Sequence, residues 1–180
     1  IQPWQVYVVR GEHKARITEA CSKRYLAGDE GSPEYFYYPQ SWREPYIGRR
    51  RQTGFGLYGL LGIDRHDTPA VQAYRVLNYQ FFGAPVALFF SIDRDMEQGS
   101  WVDYGMFLQS LMLAAREQGL ETCAQAAFCP YYDTVMPLLG APSEQMLVCG
   151  MSVGYADPEA VINDYRTPRL AVDAFRTRLG

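Results

Sequence analysis

The sequence predicts an α+β fold, arranged as a three-layer α/β/α sandwich around a mostly antiparallel central sheet. Three observations predict it. Strand-like apolar runs at Gln5–Val9, Pro85–Ile92 and Met146–Gly154 are separated by helical stretches. No regular βαβ repeat links them. One helix, Trp101–Gln118, is apolar nearly all round, the mark of an element enclosed on several faces. At 180 residues, 48% apolar and 21% charged, the chain has the size and composition of one globular domain spanning residues 1–180.

The elements follow in order. Ile1-Gln2-Pro3-Trp4 is neither a translation start nor a signal peptide, and it runs directly into β-branched and aromatic residues. The expectation is that an N-terminal segment precedes Ile1. Glu12–Ala27 reads as a helix, with Ile17, Ala20 and Cys21 at helical spacing and Gly28 as its stop. Residues 29–62 read as an irregular excursion that covers a site, because they gather Tyr35, Phe36, Tyr37, Tyr38, Trp42, Tyr46, Phe55 and Tyr58. So many aromatics argue for burial against something. Asp67-Thr68-Pro69 opens the next helix with a cap residue and a proline. Pro85–Ile92 is continuously apolar, as a strand buried on both faces is. In Trp101–Gln118, Tyr104, Phe107, Leu108, Leu111, Met112 and Ala115 form one stripe, while Met106, Leu113 and Ala114 lie opposite. A partner subunit is one source of the enclosure this implies. Leu120–Phe128 reads as extended, Pro130–Leu139 as a short helix stopped by Gly140, and the tail from Asp157 as polar.

Charge and motif content narrow the chemistry. A net charge of -3 argues against a nucleic-acid phosphate binder, and no apolar run reaches the roughly 18 residues of a membrane span. Four cysteines without C-x-x-C spacing and two histidines give no metal ligand set, and a reduced cytoplasmic setting is expected. Gly54-Phe55-Gly56-Leu57-Tyr58-Gly59 matches G-x-G-x-x-G, but no strand precedes it and no acid follows at the ribose-binding distance, so it is not a dinucleotide fingerprint. There is no G-x-S-x-G elbow. Asp93, Asp95 and Glu97 read as a turn after a strand. No catalytic side chain is assigned, and a cofactor is expected to carry the chemistry. Arg166 and Arg169, beside Asn163, have the charge and planarity of phosphate ligands, although a solvated tail is the plainer reading of their spacing. Gln125-Ala126-Ala127-Phe128 is a run of small residues whose backbone could approach a planar ligand.

Taken in order, several segments resemble the FMN-dependent nitroreductase family. They are Gln2-Pro3-Trp4 before a strand, Asn78 ahead of Gly83-Ala84-Pro85-Val86, Asp103–Gln118 with Gly119-Leu120-Glu121-Thr122-Cys123, Gln125-Ala126-Ala127-Phe128, Cys149–Pro158, and Asn163–Arg169. Tyr37-Tyr38-Pro39 and Glu44-Pro45-Tyr46 resemble the nitrobenzoate-reductase subgroup. The resemblance implies a nitroreductase-like sandwich in a domain-swapped homodimer, with two FMN sites where the subunits meet. It implies that Asn78 bonds the flavin's pyrimidine edge, that backbone N–H groups around Gln125, Ala126 and Ala127 meet flavin N5 and O4, and that Arg166 and Arg169 approach the phosphate. Gln2 and Pro3 would lie near the cofactor. NADH or NADPH would donate hydride, and nitroaromatics, quinones or similar flat acceptors would receive it in a ping-pong exchange. Tyr37, Tyr38, Trp42 and Tyr46 would wall the substrate. A relative with other flavin chemistry, or a non-catalytic flavin binder, is the alternative. The family's Arg-Arg-Ser phosphate motif lies outside these residues, and Tyr79-Gln80-Phe81-Phe82 stands where some relatives place a lysine.

Overall fold

The computed structural model describes residues 1–180, which gather into two compact units. The first comprises residues 1–39 and 72–156, the second residues 40–71 and 157–180.

The first unit is built on four strands: β1 (Trp4–Arg10), β2 (Val86–Asp93), β3 (Glu121–Gln125) and β4 (Gln145–Gly154). They lie in the order β1-β2-β4-β3, and every neighbouring pair is antiparallel. β2 and β4 hold the centre because their apolar runs tolerate helices on both faces. Successive residues of β2 serve opposite cores: Ala87 and Phe89 face one cluster, Leu88, Phe90 and Ile92 the other. Into the first cluster come Ile17 and Cys21 of α1 (Gly11–Leu26) and Val135 and Met136 of α5 (Tyr132–Leu139). The second receives Tyr104, Phe107 and Leu111 of α4 (Gln98–Glu117). Helices on either side of one antiparallel sheet make the three layers.

The helices follow from local chemistry. In α1 only Ile17 and Cys21, one turn apart, are buried, so a single narrow stripe docks the helix. α3 (Thr68–Val76) is capped by Asp67, whose Oδ1 accepts the Ala70 N–H at 3.0 Å. α5 ends on Gly140 in the left-handed conformation, which leaves its N–H free to close the last turn. Tyr104 of α4 is fully buried, and its hydroxyl donates to the carbonyls of Ser91 (2.9 Å) and Gln5 (3.2 Å), fastening α4 to β1 and β2. The opposite side of α4 leaves Val102, Met106 and Leu113 about 60% exposed in the single chain.

Two segments differ from the sequence expectation. Residues 46–60, read as irregular, form α2 (Tyr46–Leu60) in the second unit. Its four glycines and lack of any buried residue erase the helical pattern. Gly56 serves a tertiary purpose: a Cβ there would run into the ring of Tyr165, whose hydroxyl donates to the Thr53 carbonyl at 3.0 Å. The G-x-G-x-x-G run therefore lies inside a helix and forms no phosphate loop. The extended stretch expected to reach Phe128 stops at Gln125, and Ala126–Tyr131 turns into a 3-10 helix. The ladder ends at Gln125 opposite Gly150 because Phe128 folds over that glycine.

That contact sets a testable limit. A Cβ on Gly150 would lie 2.8 Å from the Phe128 ring and 3.4 Å from Phe89. Gly150→Ala is expected to cost about 1–3 kcal/mol by overpacking, read as a lower denaturant midpoint with an unchanged slope. An unchanged midpoint would show that the ring moves aside freely.

Candidate active site

The site grows from the end of α3. After Val76 the chain turns through Asn78 and enters a 3-10 turn, Phe81–Gly83, in which Phe81 and Phe82 take positive φ of 54° and 52°. Non-glycine residues seldom adopt this conformation, so the turn must be held by its surroundings. Phe81 is fully buried, stacked on Phe128 at 4.9 Å and edge-on to Phe89 at 5.8 Å. The Asn78 carbonyl accepts the Phe81 N–H at 3.1 Å.

The same carbonyl accepts a second hydrogen bond, 2.6 Å from Gln125 Nε2 at the end of β3. Gln125 is 2% exposed, and its Oε1 accepts from the Ser152 hydroxyl of β4 at 2.9 Å. Residues 47 apart in sequence are thereby joined. Asn78 thus lies beside Gln125, from which the chain continues into Ala126 and Ala127. With one hydrogen bond at each end of its buried amide, the side chain ties Asn78 to Ser152. Ala126 and Ala127 head the 3-10 helix, and the first N–H groups of a helix have no partner within it. Both are half-buried, with side chains that end at Cβ. Asn78 Nδ2 donates to the Arg75 carbonyl at 3.1 Å, which orients the carboxamide.

Gln2 is exposed with φ 58°, and Pro3 is half-buried. Gln2 borders a shallow groove of about 360 Å³ with Trp4, Asp103, Met106 and Phe107, where the Trp4 and Phe107 rings stack 4.3 Å apart. Arg166 and Arg169 belong to the second unit and are exposed. Arg24, Arg94, Arg116 and Arg176 each pair with a carboxylate. Arg166 and Arg169 instead bond neutral oxygens: Arg166 the carbonyls of Asn163 and Tyr165, Arg169 those of Thr167 and Pro168 and the Thr167 hydroxyl. Their charge stays uncompensated, as an anion ligand requires.

Tyr37 and Tyr38 fall in the first unit, half-exposed and perpendicular with ring centres 4.7 Å apart. Trp42 and Tyr46 fall in the second. There Arg43 and Arg49 both lie over Tyr46, at 4.8 and 5.5 Å, and Arg50 lies over Trp42 at 4.8 Å. Part of the Arg49–Arg51 run is thus spent on aromatic faces.

Side-chain nucleophiles find no support here. Burial pushes the Cys21 and Cys149 thiols up to about 12 and raises Cys129 as well, which keeps them protonated and unreactive. His13 and His66 are exposed. Ser152 went unnoticed in the sequence, and its signal was a lone hydroxyl amid the apolar run of β4.

A strand-end amide bracing a backbone turn, within a three-layer antiparallel sandwich, is the class of fold and site this chain presents. Comparison with known proteins specifies it further. The nitroreductase family model matches residues 1–155. The chain is 37% identical over 179 residues to a 4-nitrobenzoate reductase of Pseudomonas putida, covering 99% of this chain and 78% of that one. It is 38% identical over 177 residues to a chloronitrobenzene nitroreductase of Comamonas testosteroni, covering 98% and 78%. Among solved structures, the FMN and NADPH-dependent nitroreductase NfnB from Sphigopyxis sp. strain HMH superposes with a TM-score of 0.96 at 40% identity, over 100% of this chain and 81% of that one. The FMN-dependent NfnB from Mycobacterium smegmatis, in complex with NADPH, gives 0.92 at 34%, over 99% and 79%. The chain belongs to the nitroreductase family.

Proposed function

We propose that the protein is an FMN-dependent oxidoreductase that uses NADPH or NADH to reduce nitroaromatics and similar flat acceptors such as quinones. The observation that carries this reading is the junction of Asn78 with Ala126 and Ala127 through Gln125, in a chain 34–40% identical along nearly its whole length to FMN-dependent nitroreductases. The donor set fits the cofactor. A carboxamide can donate to and accept from the polar edge of a flavin, and the backbone N–H groups of Ala126 and Ala127 can meet its other hydrogen-bonding atoms. Two arginines without carboxylate partners fit a phosphate.

When bound, FMN supplies a ring that takes hydride from a nicotinamide and delivers it to an acceptor. The protein's own groups bind and orient. Asn78 holds the pyrimidine edge, its carbonyl fixed by Gln125 and its Nδ2 by the Arg75 carbonyl. Ala126 and Ala127 let the backbone come close because no side chain extends beyond Cβ. Arg166 and Arg169 bind the phosphate, and Gln2 and Pro3 lie near the cofactor. Tyr37, Tyr38, Trp42 and Tyr46 offer aromatic faces to a flat acceptor. A second copy of the chain covers Val102, Met106 and Leu113 on α4, in a domain-swapped homodimer. No helix is long and apolar enough to cross a membrane. The compartment, on the same reading, is the cytoplasm, where the four unpaired thiols stay reduced.

Steady-state kinetics with NADPH and 4-nitrobenzoate both varied are expected to give parallel double-reciprocal lines, from a species of twice the chain mass by light scattering. Intersecting lines would mean a ternary complex, and a stable monomer would remove the second copy. Arg169→Ala is expected to weaken FMN binding by about 1.5–3 kcal/mol, the worth of a charge-assisted hydrogen bond. Unchanged affinity in a fluorescence titration would take Arg169 out of the site.

A further inference from the structure

Residues 29–35 form a strap across the first unit. Its root is tied twice. Asp29 accepts from Arg24 Nε at 2.6 Å and from the Gly31 N–H at 2.8 Å. The Ser32 N–H donates to the Pro130 carbonyl at 2.8 Å, and Gly31 packs so tightly on Pro130 that a Cβ would collide with it. Farther along, the Glu34 carboxylate, only 8% exposed, pairs with Arg94 at 2.5 Å and accepts the Leu147 N–H at 3.3 Å. The Tyr35 hydroxyl donates to the Val148 carbonyl at 2.5 Å, and its ring lies against Trp101 at 4.8 Å.

The strap's two contact points on β4 coincide with a fault in the sheet. Phe90 pairs with Cys149 but Ser91 pairs with Leu147, so Val148 is an extra residue in β4. A bulge leaves backbone groups outside the ladder, and buried backbone groups need partners. Glu34 and Tyr35 supply them: a carboxylate for the N–H of Leu147, and a hydroxyl for the carbonyl of Val148, which also accepts from Cys129 Sγ at 3.2 Å. Burial lifts the Tyr35 phenol well above its ordinary range, so the hydroxyl remains a donor. The strap meets the 3-10 helix Ala126–Tyr131 at Cys129 and Pro130, and the same helix begins with Ala126 and Ala127.

We propose that Glu34 and Tyr35 are positioning residues for acceptor binding: seated in the β4 bulge, they fix the strap and so hold Tyr37 and Tyr38 in place as the wall for an aromatic acceptor. This rests on the function proposed above. Tyr37 and Tyr38 follow Tyr35 by two and three residues, at most about 10 Å of extended chain, so an unseated root displaces both rings. Bulges beside active sites re-aim side chains, and here the one re-aimed belongs to the strap docked on the bulge.

The test uses Tyr35→Phe and Glu34→Gln in the full chain loaded with FMN. FMN content and NADPH-driven reduction of ferricyanide, a small acceptor that needs no aromatic wall, are expected to stay at wild-type levels. KM for 4-nitrobenzoate is expected to rise about fivefold to thirtyfold, the range of a lost hydrogen bond to a buried group, while kcat changes less than about twofold. Amide exchange of Phe36, Tyr37 and Tyr38 is expected to quicken in both variants. A wild-type KM with wild-type exchange would overturn the proposal. So would a parallel loss of ferricyanide and nitrobenzoate activity, which marks general damage. A wild-type protein without FMN or NADPH oxidation would instead contradict the function, and the exchange rates would still decide whether the strap is seated by these two side chains.

Discussion

The site depends on one buried amide. Gln125 spans from the Ser152 hydroxyl on β4 to the carbonyl of Asn78. A buried carboxamide left half-satisfied costs more than it contributes, so all three groups are bound to one arrangement. The consequences reach outward. Asn78 is locked at the mouth of a turn whose two phenylalanines have left-handed backbones, and Phe81 returns the favour by stacking on Phe128. Phe128 in turn lies over Gly150, where the β3–β4 ladder stops and the chain breaks into the 3-10 helix headed by Ala126 and Ala127. Amide, aromatic stack and ladder end are mutually required.

The sheet provides a second constraint through an imperfection. Val148 is one residue too many for β2, and the polar groups it displaces are met by side chains from the strap. The two constraints meet in Ala126–Tyr131, which begins at the amide-bearing strand end and finishes against the strap at Pro130. A family fold that hosts several chemistries gains its particular site from such local arrangements.

What the sequence made legible followed periodicity. β2, β4, α1 and α4 all stand within a few residues of where their apolar spacing put them, because each buries a stripe or a face that composition alone reveals. α2 was hidden because Gly48, Gly54, Gly56 and Gly59 suppress helical propensity and no residue of the helix is buried. The 3-10 helix was hidden because its cause is tertiary, the fold of Phe128 over Gly150. Of the candidate site, the chain positions were readable from resemblance, but their roles were not. That Gln125 braces Asn78 against Ser152 is visible only in the folded chain. Glu34 carried no signal and Tyr35 only that of its aromatic run, since a bulge cannot be read from a single strand.

The claim that Gln125 acts on the cofactor site through Asn78 is tested most directly by a double-mutant cycle on FMN affinity. Gln125→Met, Asn78→Ala and the double variant would each be titrated with FMN by fluorescence, after a cooperative thermal transition shows that each is folded. Each single change is expected to weaken FMN about tenfold, and the double variant to be no more than about twofold weaker than the worse single one, because contacting residues couple. Full multiplication of the two losses, or wild-type affinity in Gln125→Met, would contradict the account.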